Sequence, residues 1–233
     1  MNFWANRFFL RLMRLLLCVW FRFRAFNEEA AKCDGPVLLI PNHLSWIDWL
    51  FVGLCVDPDW MFAASEMPAR TSKLHAWVLS NPRIILIGTD PAASLKKMTA
   101  HLEAGGKLIL FAEGRMSRTG CLQRLFGGTG FLIQKTNAKV ITCYLRGAGR
   151  VLGSVHGGWT KWFPKVTAHF SDPAEPPKYE GKPATQRAKL NQWLRDRMLR
   201  QQFDMEMEFG EQTLITAIAS LAKQIPNHTV LED

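Results

Sequence analysis

Chemistry first becomes available in the stretch PNHLSWIDW, residues 41–49, which follows an apolar run and holds His43 and Asp48. A carboxylate that accepts from one imidazole nitrogen fixes the tautomer and leaves the other nitrogen as a base. On one ideal helix, residues i and i+5 stand roughly 140° apart and do not meet. The pair can meet if His43 precedes the helix, in a strand–helix turn, and Asp48 lies in its second turn. The same residues also suit a plainer arrangement, with Asn42 and Asp48 as helix caps and His43 a bystander.

A second polar stretch, FAEGRMSRTG at 111–120, also closes an apolar run. Glu113 and Arg115 flank Gly114, with Ser117 and Arg118 close by. A carboxylate and two guanidiniums in one turn can position a phosphate-bearing substrate, because arginine binds phosphate through a two-pronged fork. The plainer alternative is a solvated turn. There is no G-x-S-x-G elbow and no Walker A sequence. GGTG at 127–130 fits a tight turn opening a helix better than a phosphate cradle. The six histidines are scattered, so no metal site is expected. The five cysteines show no CxxC spacing and read as reduced thiols of a cytosolic compartment.

These stretches need strands and helices to hold them. Apolar runs at 36–42, 60–65, 83–88, 107–113 and 139–145, and an alternating run at 164–170, read as strands. Segments 44–56, 69–80, 92–104 and 128–137 read as helices between them. This alternation predicts an α/β fold, a mostly parallel mixed sheet with helices on both faces. A Pro-rich linker, 171–184, leads to a polar helix at 185–203 whose apolar stripe is Leu190, Trp193, Leu194 and Met198.

Residues 2–26 carry five arginines and no acid among Phe, Leu, Trp and Val. Arg7, Arg11 and Arg14 share helical spacing, and Trp4 and Trp20 lie in the same segment. Its longest uncharged run, Leu15–Phe21, is far short of the roughly 20 residues needed to span a bilayer. A basic amphipathic helix lying in the membrane interface is expected, with a helix packed on the domain's own core as the alternative. GGWTKWFPK at 157–165 offers Trp159 and Trp162 as a second interfacial contact, or simply a rigid turn. The net charge of +9 suits an anionic partner, and nine tryptophans against two tyrosines favour an interface. Charge alone also suits nucleic acid. Many arginines lie in the apolar helix, however, and no nucleic-acid motif is present, so that partner is not expected.

Taken together, the two polar stretches resemble the glycerolipid (lysophospholipid) acyltransferase superfamily. Asn42 to Asp48 matches its NHxxxxD motif, and Phe111 to Arg115 with Ser117 is similar to its FPEGxxS motif. Val140–Leu145 falls where the family has a VIPV-like strand. PNHLSWIDWLFVGL, the Glu-Gly-Arg variant of the second motif, GGTGF and LRGA look like one branch. That branch is the acyltransferase part of bifunctional 2-acylglycerophosphoethanolamine acyltransferase/acyl-[acyl carrier protein] synthetases. The resemblance implies a glycerol-3-phosphate acyltransferase-like fold and a base role for His43, oriented by Asp48. It implies acceptor binding by Asn42, Ser45, Glu113, Gly114, Arg115, Ser117 and Arg118. The donor would be an acyl thioester, of acyl carrier protein in preference to coenzyme A, with no cofactor. The acceptor would be a lysophospholipid, with acylation of 1-acylglycerol 3-phosphate from acyl-CoA and a non-catalytic lipid-binding protein as alternatives. Three departures stand out: Ala112 and Thr142 replace prolines, and Gly88-Thr89-Asp90-Pro91 stands where many relatives carry a phosphate-binding arginine. That third departure favours a zwitterionic headgroup.

The expected organisation is therefore an interface helix at 1–26, an acyltransferase domain at 27–208 and a C-terminal helix at 209–233. That last segment looks like the start of a fused acyl-activating, adenylate-forming domain. A peripheral protein on the cytoplasmic face of a membrane, the inner one if bacterial, is expected.

Overall fold

The computed structural model describes residues 7–66, 76, 79–151, 154 and 163–209. Its centre is β2 (Val37–Pro41), whose five residues VLLIP are all buried. Continuous burial on both faces is what a run without polar alternation requires. Around it lie β1 (Arg24–Phe26), β3 (Met61–Ser65), β4 (Ile84–Ile87), β5 (Lys107–Leu110), β6 (Lys139–Arg146) and β7 (Thr167–Phe170). They form one seven-stranded sheet in the order β1-β7-β6-β2-β5-β3-β4. All pairings are parallel except β6 with β7, so the expected α/β class with a mostly parallel mixed sheet holds.

Alternate residues of each strand serve opposite faces. Val37 and Leu39, with Ile109 and Ile141, pack against α1 (Arg7–Phe21) and α2 (Asp48–Gly53). Leu38 and Ile40, with Leu108 and Val140, pack against α3 (Pro91–Glu103), α4 (Gly127–Thr136) and α5 (Pro183–Phe209). Each fully buried leucine or isoleucine contributes about 1.5–3 kcal/mol. The predicted stripe of α5 faces this second core: Leu190, Leu194 and Met198 are buried and Trp193 packs beside them. Gly130 opens the way for that contact, since a Cβ there would fall on the Arg187 carbonyl oxygen. The GGTG stretch is thus the tightly packed first turn of α4.

Several boundaries differ from those predicted. α1 stops at Phe21, where Arg22 takes a left-handed φ of 46°. The chain turns there and residues 24–26, expected within the helix, become the edge strand β1, hydrogen-bonded alongside β7. Three residues, Arg24-Ala25-Phe26, are too few to carry a readable strand pattern. The helix expected over 44–56 covers only Asp48–Gly53, because Leu44 and Ser45 are held in a turn by the Asp48 carboxylate. The strand expected to reach 113 ends at Leu110, and the one expected from 164 starts at Thr167. α5 is longer than expected: Pro183, whose missing N–H costs nothing at a helix start, opens it, and no Gly or Pro interrupts 184–209. Most of the helix expected over 69–80, and residues 210–233 with their proposed ligase-like segment, lie outside the described residues.

Candidate active site

Because β2, β3, β4, β5 and β6 run the same way, their carboxyl ends share one edge of the sheet, where α/β folds build sites. The chain leaves β2 through Asn42 and His43. Asn42 is buried and clasps β6: its Oδ1 accepts from Leu145 N at 2.7 Å and its Nδ2 donates to Leu145 O at 3.3 Å. That clasp fixes where the next residue starts. His43 Nδ1 then lies 3.0 Å from Asp48 Oδ2. The separation is met by His43 in the turn and Asp48 at the first helical residue of α2, one turn earlier than predicted.

Asp48 has no exposed side-chain surface, and its charge is answered entirely from within the turn. Oδ2 also accepts from Leu44 N and from Ser45 N at 2.7 Å, while Oδ1 accepts from Ser45 Oγ. A carboxylate with these donors acts as acceptor toward imidazole, so Nδ1 carries hydrogen and Nε2 presents its lone pair. Nε2 has no partner among the described residues, and the ring keeps 22% of its surface exposed. Phe111 lies against it, ring centroids 4.5 Å apart.

The loop after β5 closes over the same turn. Glu113 Oε1 accepts from His43 N, and Oε2 accepts from Gln123 N, both at 2.8 Å. Burial pushes the Glu113 carboxyl pKa up, against the pull of those two amides. Gly114 adopts φ +68°, which only glycine takes without strain, and turns the chain outward. Ser117 returns inward, its N donating to His43 O at 2.8 Å and its Oγ to Cys121 O at 2.7 Å. Arg115 and Arg118 are exposed beside Gly114.

The residues singled out in the sequence therefore divide. Asn42, Ser45, Asp48, Glu113 and Ser117 are buried and engaged by the protein itself, so they hold the loop. His43, Gly114, Arg115 and Arg118 are the ones that present surface. Gln123 belongs to the same site but carried no spacing signal, and Phe111, quoted within the second motif, was given no role of its own. Among the described residues no cluster of side chains could hold a metal ion.

Residues 22–146 match the family model described as Acyltransferase. This chain belongs to the acyltransferase family. It is 25% identical over 129 residues to the chloroplastic 1-acyl-sn-glycerol-3-phosphate acyltransferase LPAT1 of Arabidopsis thaliana, covering 54% of this chain and 36% of that protein. The chain thus spans about a third of the length of that curated relative. Its fold is shared with the crystal structure of the 1-acyl-sn-glycerophosphate acyltransferase PlsC of Thermotoga maritima. The TM-score is 0.64 at 18% identity, over 85% of this chain and 81% of that one. Resemblance to the glycerolipid acyltransferase superfamily, stated from two short motifs, is thereby supported over residues 22–146.

In this acyltransferase the N-terminal helix is arranged differently from the arginine stripe expected. Leu17 and Phe21 are buried in the core, with Leu10 and Met13 beside them. Arg14 faces the domain, donating to Glu28 at 2.8 Å and to Leu54 O at 3.4 Å. Arg11 is exposed, and the side chain of Arg7 is outside the described set. The outer face is apolar, with Leu12, Leu15, Val19 and Trp20 exposed. Trp20 meets Phe163 with ring centroids 6.0 Å apart. Trp4, Trp159 and Trp162 lie outside the described residues. No described helix is long and apolar enough to cross a membrane.

Proposed function

We propose that this acyltransferase moves an acyl group from a thioester to a free hydroxyl of a lysophospholipid at a membrane surface. The observation that carries the reading is the His43–Asp48 pair: Nδ1 is tied to a buried carboxylate at 3.0 Å, with Nε2 open. Nε2 takes the hydroxyl proton as that oxygen bonds to the thioester carbonyl carbon. The tetrahedral adduct collapses, the C–S bond breaks, and the departing sulfur takes the proton back from the imidazolium. The products are a diacyl phospholipid and a free thiol. Asp48 stabilises the imidazolium in between. Arg115 and Arg118 receive the acceptor's phosphate, on a loop held by Glu113 and Ser117. A thioester is already activated, so the step calls for no cofactor.

The favoured acceptor is 2-acylglycerophosphoethanolamine and the favoured donor acyl-carrier-protein thioester. Support comes from the branch-like Asn42–Asp48 and Glu113–Arg115 stretches and from Gly88-Thr89-Asp90-Pro91 in place of an arginine. Acylation of 1-acylglycerol 3-phosphate is the second reading, favoured by the names of the plant and Thermotoga relatives. Both place the protein on a membrane, peripherally and on the cytoplasmic face. The apolar outer face of α1 supports that placement.

Acyl transfer by the purified chain tests the proposal. Lysophosphatidylethanolamine and lysophosphatidic acid are crossed with acyl-carrier-protein and acyl-CoA donors, with His43→Ala as control. Turnover that falls at least about 100-fold in His43→Ala is expected. Near-normal turnover in that variant would remove the mechanism.

A further inference from the structure

His43 is held by its backbone at both ends. Its N donates to Glu113 Oε1 and its O accepts from Ser117 N, both at 2.8 Å. The two holders lie on the loop after β5, and one residue further along that loop gathers them both. Gln123 N donates to Glu113 Oε2 at 2.8 Å, and Gln123 Nε2 reaches Ser117 Oγ at 3.5 Å. The two arms that grip His43 therefore converge on Gln123.

Gln123 needs an anchor of its own. Residues 115–124 form neither helix nor strand, and Arg118, Thr119, Cys121 and Arg124 are exposed. The anchor comes from α5. Arg195 Nη1 donates to Gln123 O at 3.0 Å, across 72 residues of chain. A guanidinium N–H bound to a carbonyl is a charge-assisted bond, stronger than one between neutral groups. Both ends of that bond start from fixed points. Arg195 follows Leu194, which is fully buried, and Gln123 lies between Leu122 and Leu125, which pack into the same core as Leu194.

We infer that Arg195 is a positioning residue for acyl transfer: by holding the Gln123 carbonyl it fixes, through Glu113 and Ser117, both backbone ends of the residue that carries the base. The inference rests on the acyl-transfer reading above and adds a residue of α5 to the support of His43. Asp48 sets the tautomer and tilt of the ring, whereas Arg195 sets where the ring starts. A base must meet the hydroxyl proton at hydrogen-bond distance, so a small drift of its backbone lowers the rate of the step itself.

The test compares Arg195→Met, which keeps the apolar stem and removes the donors, with Arg195→Lys, which restores one. Asn191→Ala is the comparator: it breaks the 3.4 Å bond from Asn191 Nδ2 to Gly127 O, a contact of α5 with α4 outside the loop. The full chain is assayed with whichever acceptor and donor pair wild type uses best, beside thermal unfolding. In Arg195→Met, kcat is expected to fall about tenfold, with KM for the acceptor moved by less than about threefold. Arg195→Lys should recover part of that loss, and Asn191→Ala should leave kcat unchanged. A second readout needs no turnover: the Nδ1–H proton NMR signal of His43, assigned by its absence in His43→Ala. It should shift or broaden in Arg195→Met and stay in place in Asn191→Ala. Unchanged kcat in Arg195→Met, a change confined to KM, or a loss of kcat that follows the melting temperature and is equal in the Met and Lys variants would overturn the inference while leaving acyl transfer standing. No wild-type turnover with any pair would sink the acyl-transfer reading instead, and an unmoved His43 signal in Arg195→Met would then overturn the positioning role as well.

Discussion

At the candidate active site, Asp48 serves as hidden support for its neighbours. It is fully buried and accepts from His43 Nδ1, from two backbone amides and from Ser45 Oγ. Asp48→Asn keeps the shape but turns an NH2 group toward donors. The substitution should therefore cost stability as well as rate: about 1–3 kcal/mol for a backbone amide left unpaired, and about 10²–10⁴ in kcat. Thermal unfolding and single-turnover kinetics on the same preparation read both; loss of rate with an unmoved melting temperature would show that the amide bonds do not support the turn. Glu113 offers a pH test. Burial raises its carboxyl pKa, so the folded state favours the protonated form more than the unfolded chain does. Its stability contribution is fully present at pH below the ordinary carboxylate value and is lost as pH rises through the raised one. Denaturant unfolding of wild type and the non-titrating Glu113→Gln at pH 4.5 and pH 8 should show wild type losing stability relative to the variant at the higher pH.

At the scale of elements, the short edge strand β1 matters because of what it covers. Phe26 stacks on His169 of β7, ring centroids 4.7 Å apart and planes 7° apart, while His169 Nε2 meets Thr167 Oγ1 at 2.8 Å. Burial, reinforced by Arg146, lowers the pKa of His169 to about 4. The folded state thus binds its proton later than the unfolded chain, whose histidine titrates near 6.5. Stability is complete above that value, falls as pH drops from about 6.5 to about 4, and levels off below, by a few kcal/mol at most. His169→Gln should flatten that segment of a pH–stability curve; an unchanged slope would exclude the ring as its origin. The Arg14–Glu28 pair docks α1 but is partly exposed, so Arg14→Ala should cost only about 0.5–1 kcal/mol in chemical denaturation.

At the scale of the molecule, the described residues form a sheet with the candidate site at its carboxyl edge and a two-sided helix on one face. α1 buries Leu17 and Phe21 against the sheet and leaves Leu12, Leu15, Val19 and Trp20 outward. The outward side chains keep 41–65% of their surface exposed, so folding leaves much of their apolar area uncovered. If they enter a bilayer, Leu15→Glu with Val19→Glu should sharply reduce co-sedimentation with vesicles of phosphatidylethanolamine and phosphatidylglycerol. Circular dichroism of that variant should remain that of the folded protein. Unchanged vesicle binding would assign the contact elsewhere.

The central strands, α3, α4 and α5 were legible because long apolar runs and helical periods are local properties, written within a dozen residues. His43, Asp48, Glu113 and Arg115 were legible for a different reason: two short motifs each retain residue types that chemistry needs. Sequence could not separate support from contact. Whether Glu113 meets substrate or holds His43 N depends on a bond between residues 70 apart, which no local pattern records. The same holds for Arg14, which looks like one of a solvent stripe and instead pairs with Glu28 across a chain reversal at Arg22. It holds for Gln123, whose N donates to Glu113 across the loop that closes over His43. Sequence alone determined the central strands, the long helices behind them and the chemical inventory. The order of strands, set by burial of both sheet faces at once, decided which of those groups stand side by side.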